Sequence, residues 1–156
     1  MEPRAAGPRR RLAMIRALAG AGVPVGVNVA PVIPALTDHE IERLLAAAAE
    51  AGARRAGYIT LRLPREVGPL FREWLERYCP DRARRVMGGV RELHGGRDYD
   101  PAFGKRMTGE GVHARLIARR FEAGCRRYGL TTGGRELRTD LFWLPPRAGD
   151  QPSLFG

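Results

Sequence analysis

Three polar side chains sit in otherwise apolar, strand-like stretches: Asn28 in VPVGVNVAPVIP, and Thr60 and Arg62 in AGYITLRL. An amide both donates and accepts, a hydroxyl does the same, and a guanidinium offers a rigid fork of donors suited to a carboxylate or phosphate. If the less apolar faces of the two strands share an interior, these residues are the candidate ligand-binding set. Packing can accommodate Asn28 and Thr60, whereas Arg62 needs a partner or a route to solvent. No carboxylate pair and no self-sufficient nucleophile accompanies them, so no catalytic residue is assigned. Cys79 and Cys125 are the only cysteines, too few and too far apart for a self-contained metal motif. They read as buried thiols rather than a disulfide, and no metal ligand is assigned. His39 reads as an exposed or locally hydrogen-bonded residue.

A second kind of chemistry comes from charge. The formal net charge is +10, and Lys105 is the single lysine, so the excess is almost all arginine. Arginine suits bidentate phosphate contacts, and the candidate polyanion-binding residues are Arg97, Lys105, Arg106, Arg119 and Arg120. The first three lie in HGGRDYDPAFGKRMTGEG, which is neither a Walker A sequence nor a G-x-G-x-x-G turn. That stretch reads either as a lid or surface loop, or as a substrate- or polyanion-contact loop. A generally solvated basic surface is the competing account of the charge.

The elements that must position these groups follow from periodicity. In residues 23–34, Val25, Val27 and Val29 share one strand face, while Gly26, Asn28 and Ala30 share the other. Pro31 and Pro34 oppose its continuation as a central strand. Residues 56–63 form the second strand, with Ile59, Leu61 and Leu63 on one face and Tyr58, Thr60 and Arg62 on the other. Leu12, Ile15 and Ala19 mark a short helix before the first strand, starting near Pro8 and stopping at Gly20 and Gly22. Thr37 and Glu40 stand at capping-box spacing before a second helix bearing Ile41, Leu44, Leu45 and Ala48. The order helix–strand–helix–strand, with a compact return at Gly52, predicts a parallel pair joined by a right-handed crossover. Further helices are expected from Pro69 (Leu70, Phe71, Trp74, Leu75, Tyr78), over residues 81–93 (Val86, Val90, Leu93) and over residues 112–128 (Ala114, Ile117, Phe121, Cys125, Tyr128). Trp74 and Tyr78 read as core.

Three stretches carry a resemblance to a known family: EPRAAGPRRRLAMIRALAGAGVPVGVNVAPVIPALTDHE, AEAGARRAGYITLRLP and GVRELHGGRDYDPAFGKRMTGEG. Across nearly all 156 residues the sequence resembles the carboxyl-terminal portion of bacterial radical S-adenosylmethionine proteins, DNA repair photolyase-like subgroup. The resemblance implies an α/β fold: an incomplete TIM-like (βα) barrel remnant with two late parallel strands, followed by a mainly helical carboxyl-terminal extension. It divides the chain into a partial barrel (1–80), a helical extension with the glycine-rich loop (81–145) and a flexible tail (146–156). It also implies S-adenosylmethionine and a 4Fe–4S cluster as cofactors of the complete family protein. Family members hold that cluster with three cysteines at C-x-x-x-C-x-x-C spacing, and electron transfer to S-adenosylmethionine yields a 5′-deoxyadenosyl radical. This chain lacks that motif. The expectation is therefore a truncated product, a late start or a split enzyme, catalytically incomplete alone and completed by an amino-terminal barrel portion or a separate subunit. Within that reading Asn28, Thr60 and Arg62 become the cofactor- or substrate-binding candidates, and nucleic acid the substrate class.

A noncatalytic nucleic-acid-binding protein or structural partner on the same remnant is the alternative. The final residues, QPSLFG, resemble the Q-x-x-L-F peptides that bind the bacterial DNA sliding clamp, with Gln151 as the amide contact and Leu154 and Phe155 as anchors. Pro152 departs from that pattern, and a mobile or locally packed tail is the other reading. No apolar run approaches the roughly 18–20 residues of a membrane span, and no exported hydrophobic leader follows the basic start. The expectation is a cytoplasmic protein without a membrane partner.

Overall fold

The computed structural model describes residues 5–134 together with Asp140 and Phe142. Among them the order is α1 (Pro8–Gly20), β1 (Gly26–Val32), a single 3-10 turn (Asp38–Glu40), α2 (Ile41–Glu50), β2 (Arg55–Thr60), α3 (Val67–Tyr78), α4 (Pro80–Leu93) and α5 (Gly111–Tyr128). The fold is mixed α/β, with β1 and β2 paired in parallel as the sequence predicts. No described helix is long and apolar enough to cross a membrane. The tail assigned to residues 146–156, with Gln151, Leu154 and Phe155, lies outside the described residues.

The first strand departs from expectation at Pro31. It runs through this proline to Val32, with a register shift between Val29 and Val32. Proline offers no N–H to a ladder, so an irregular position accommodates it. Beyond the shift it is Val32 that is buried, at 1% exposure. Thr37 does not close a capping box: its hydroxyl accepts from the Ile33 N–H at 2.9 Å and donates to the Pro31 carbonyl at 3.3 Å. It fastens the turn after β1 instead of the helix start.

Two clusters form the core. Val29 and Val32 of β1, Ala56 of β2, Ile41, Leu45 and Ala48 of α2, and Ile117, Phe121 and Cys125 of α5 make the first. This is why α5, far along the chain, packs directly on α2 and on one sheet face. Tyr58 belongs there too, its ring 4.7 Å from that of Phe121. Burial raises the Tyr58 phenol pKa, and the Glu122 charge adds to the effect. The second cluster joins Ile33 and the residues just past β2, Leu61 and Leu63, to Phe71 and Leu75 of α3 and Val86 and Val90 of α4. Trp74 is partly buried against it, but Leu70 and Tyr78 are about 60% exposed. Helical spacing placed them near the apolar stripe, yet the buried residues of α3 are only Gly68, Phe71 and Leu75. The α5 stripe ends as expected, at Gly129 in the left-handed conformation (φ 66°) that glycine adopts without a Cβ clash.

Candidate functional site

The register decides which candidate residues meet. Asn28 pairs with Gly57 and Val29 with Tyr58, so Asn28 shares a face with Gly57, and Tyr58 shares the opposite, helix-covered face with Val29. Thr60 lies two residues beyond Tyr58 on that same side. The expectation that Asn28 and the Tyr58–Thr60 row line one interior is therefore corrected. The two-residue period fixes faces within a strand, whereas pairing between strands fixes them relative to each other.

Thr60 and Arg62 do come together, beneath the glycine-rich segment of residues 95–110. This segment has no regular secondary structure, as its composition predicts. Thr60 is fully buried; its N–H and its hydroxyl both donate to the Met107 carbonyl, at 2.8 and 3.1 Å. The Arg62 guanidinium donates to the Tyr99 hydroxyl at 3.1 Å, approaches the Met107 sulfur at 3.7 Å and lies 5.8 Å from the Tyr99 ring centre. No carboxylate lies within ion-pair distance of Arg62 among the described residues. Its Nε is buried without a partner.

His94, which sequence reasoning passed over, is buried beside this cluster, its ring 6.0 Å from that of Tyr99. Its Nε2 donates to the Leu61 carbonyl at 3.0 Å, since a carbonyl can only accept. The other nitrogen, Nδ1, is buried and unpartnered. The signal that could have found His94 was its place at the carboxyl end of the Val86–Val90–Leu93 stripe. Tyr99 gave no comparable signal inside an irregular loop.

The overlying segment is latched by Asp98, which accepts from Arg72 of α3 and, at 3.0 Å, from Arg91 of α4. Burial pushes the Asp98 pKa upward, but the two arginine hydrogen bonds outweigh it and leave it below the ordinary value. Lys105 is held by Glu110 at 2.7 Å, a contact that raises its pKa. Arg106 lies 5.4 Å from the Phe103 ring centre, and Arg97 is exposed. On α5, Arg119 is exposed, whereas Arg120 makes a two-point contact with Glu42 of α2 at 2.8 and 2.7 Å. Two of the five candidate polyanion contacts, Lys105 and Arg120, are thus engaged by carboxylates.

Asn28 belongs to a different place. It is exposed and lines an apolar groove of about 420 Å³ between α1, β1 and α2, with Leu12, Ile15, Leu44 and Ala47. The two edges of the sheet differ at this point. The outer edge of β2 is covered: the Ala56 N–H donates to the Thr131 carbonyl at 2.9 Å and the Thr60 N–H to Met107. Arg55 and Thr131 form a parallel bridge there. The outer edge of β1 has no strand against it among the described residues.

The two thiols lie on different elements. Cys79 caps the end of α3, and Cys125 is buried in α5, where burial raises its thiol pKa. Two cysteines on separate helices cannot supply the three thiolates of the implied 4Fe–4S cluster. Asn28, Thr60 and Arg62 likewise do not converge on one S-adenosylmethionine pocket, so no chemical step is derived through either group.

Among known proteins, the chain is similar to uncharacterized proteins of Mycobacterium bovis and Mycobacterium tuberculosis, at 38% identity over 119 residues. The match takes in 75% of this chain and 34% of each relative. The chain thus spans about a third of the length of the curated relatives it matches. No protein-family model matches it, and no solved structure does.

Proposed function

We propose that this chain is a fragment or subunit of a radical S-adenosylmethionine enzyme of the DNA repair photolyase-like kind. In this reading it supplies late barrel units and is catalytically incomplete alone. The observation that carries the reading is the asymmetry of the sheet. The β2 edge is closed by Thr131 and Met107, while among the described residues no strand covers the β1 edge, which lies beside an apolar groove. A parallel edge strand buried on one face has unpaired amides and carbonyls on its outer side, and pairing them with a preceding strand is how a (βα) layer continues. The helix-first order and the parallel bridge at Thr131 give the same direction of propagation. The longer relatives supply enough additional chain for such a strand.

The test mixes the full chain with the part of a mycobacterial relative that lies outside the match and follows amide exchange over Gly26–Val32. Protection of alternate β1 amides, with formation of a four-iron cluster that binds S-adenosylmethionine only in the mixture, is the expected result. A stoichiometric cluster on the isolated chain, or unchanged β1 exchange in the mixture, overturns the reading. A second reading, nucleic-acid binding without catalysis, is favoured by Arg115, Arg119 and Arg126. All three are exposed and recur on one face of α5 at helical spacing.

A further inference from the structure

We propose that Arg62 and Tyr99, with His94 beside them, form a receptor for an anionic oxygen ligand, a phosphate or carboxylate group, at the carboxyl end of β2. Sheltering a guanidinium from water is costly unless an opposite charge or a full set of acceptors compensates it. Arg62 has neither. Among the described residues its contacts are one phenol oxygen and one thioether sulfur, the latter a weak acceptor. Its buried Nε–H is unspent.

Charge supply nearby makes this omission informative. Asp98, on the same segment as Tyr99, is one residue away in sequence but is taken by Arg72 and Arg91. Glu110 is taken by Lys105. Asp98 and Glu110 are thus directed to other cations, Asp100 accepts from the Ala102 N–H at 2.9 Å, and among the described residues no carboxylate pairs with the cation at the strand end. An anionic oxygen would accept from the Arg62 fork, and the Tyr99 hydroxyl, already aligned by Arg62, can turn its proton toward the same ligand. His94 adds an independent sign of incompleteness. With Nε2 committed to Leu61, its buried Nδ1 is left as an unused acceptor, matched by a hydroxyl such as that of a hydrogen phosphate. The site uses only residues of this chain and does not depend on completion of the sheet.

The experiment titrates the full chain with inorganic phosphate and, separately, with acetate. Calorimetry and the Arg62 Nε–H resonance in nitrogen–proton spectra provide the readouts. Saturable binding with a shift of that resonance is expected. Arg62→Gln weakens it about 10- to 100-fold, the scale of a lost charge-assisted hydrogen bond, while Tyr99→Phe weakens it several-fold. Arg82→Gln, at an exposed position of α4, leaves it unchanged. Phosphate binding without acetate binding assigns a phosphoryl group; equal competition by acetate assigns a carboxylate. If Arg62→Gln fails to fold, Arg62→Lys, which keeps the charge and loses the fork, gives the comparison with Tyr99→Phe. Absence of a saturable Arg62 shift with either anion, or equal losses in the Arg62 and Arg82 variants, overturns the proposal.

Discussion

Adjacent glycines in α4 should respond to alanine with opposite signs. Gly88 is exposed and a Cβ there would meet nothing within 4 Å, whereas one on Gly89 would lie 2.6 Å from Cβ and 3.3 Å from Cγ of Pro34. Helix propensity alone favours alanine over glycine by about 0.8–1 kcal/mol at either position. At Gly88 nothing opposes that gain, so Gly88→Ala is expected to stabilise by about 0.5–1 kcal/mol. At Gly89 the intruding methyl meets a proline ring, which cannot rotate away, at the turn where the chain leaves β1. Overpacking of this kind costs about 1–3 kcal/mol, and the contact distance puts this site at the upper end. After the propensity gain, Gly89→Ala should destabilise by about 1–2 kcal/mol. Urea denaturation of the two variants under identical conditions reads the difference. In thermal melts each kcal/mol corresponds to about 2–4 °C for a chain of this size. If Gly89→Ala were as stable as Gly88→Ala, the close approach of α4 to Pro34 would be wrong, and with it the seating of the second core cluster on the end of β1.

Glu42 and Arg120 tie α2 to α5, and Glu42→Gln should cost about 0.5–1 kcal/mol, because both partners remain partly exposed. The Arg120 hydrogen bonds hold the Glu42 pKa below its ordinary value. The pair's contribution is therefore complete above the unfolded-state carboxylate pKa and is lost as pH falls through the depressed folded one. Stability of the wild type minus that of Glu42→Gln, measured from pH 7 downward, should shrink in that acid window; a difference independent of pH would count against the pairing. Cys125 is 2% exposed, its thiol pKa raised first by burial and then by the Glu122 charge. Alkylation of native protein followed by mass spectrometry should modify Cys79 first and reach Cys125 only upon unfolding; equal rates would contradict the α5 packing.

Helix existence and type were legible from the sequence, because a stripe such as Ala114–Ile117–Phe121–Cys125 depends on local spacing alone. The two strands and their parallel pairing were legible for a similar reason: apolar runs too short for helices, separated by a helix of crossover length, leave little topological choice. Arg62 was legible as a site residue because a guanidinium in an apolar strand pattern needs an explanation wherever the fold puts it.

Tertiary structure decided the rest. Whether Asn28 and Thr60 shared a face depended on the pairing of Asn28 with Gly57, a long-range choice that alternation within either strand leaves open. The companions of Arg62 came from an irregular segment whose path is set by Asp98 reaching Arg72 and Arg91 on two different helices. Periodicity carries no information about such contacts. The role of Thr37 turned on whether its hydroxyl found the helix end or the turn before it, two hydrogen bonds of similar strength separated only by backbone geometry. Sequence determined which elements form and what chemistry they carry; the docking of a loop without periodicity determined which of those groups meet.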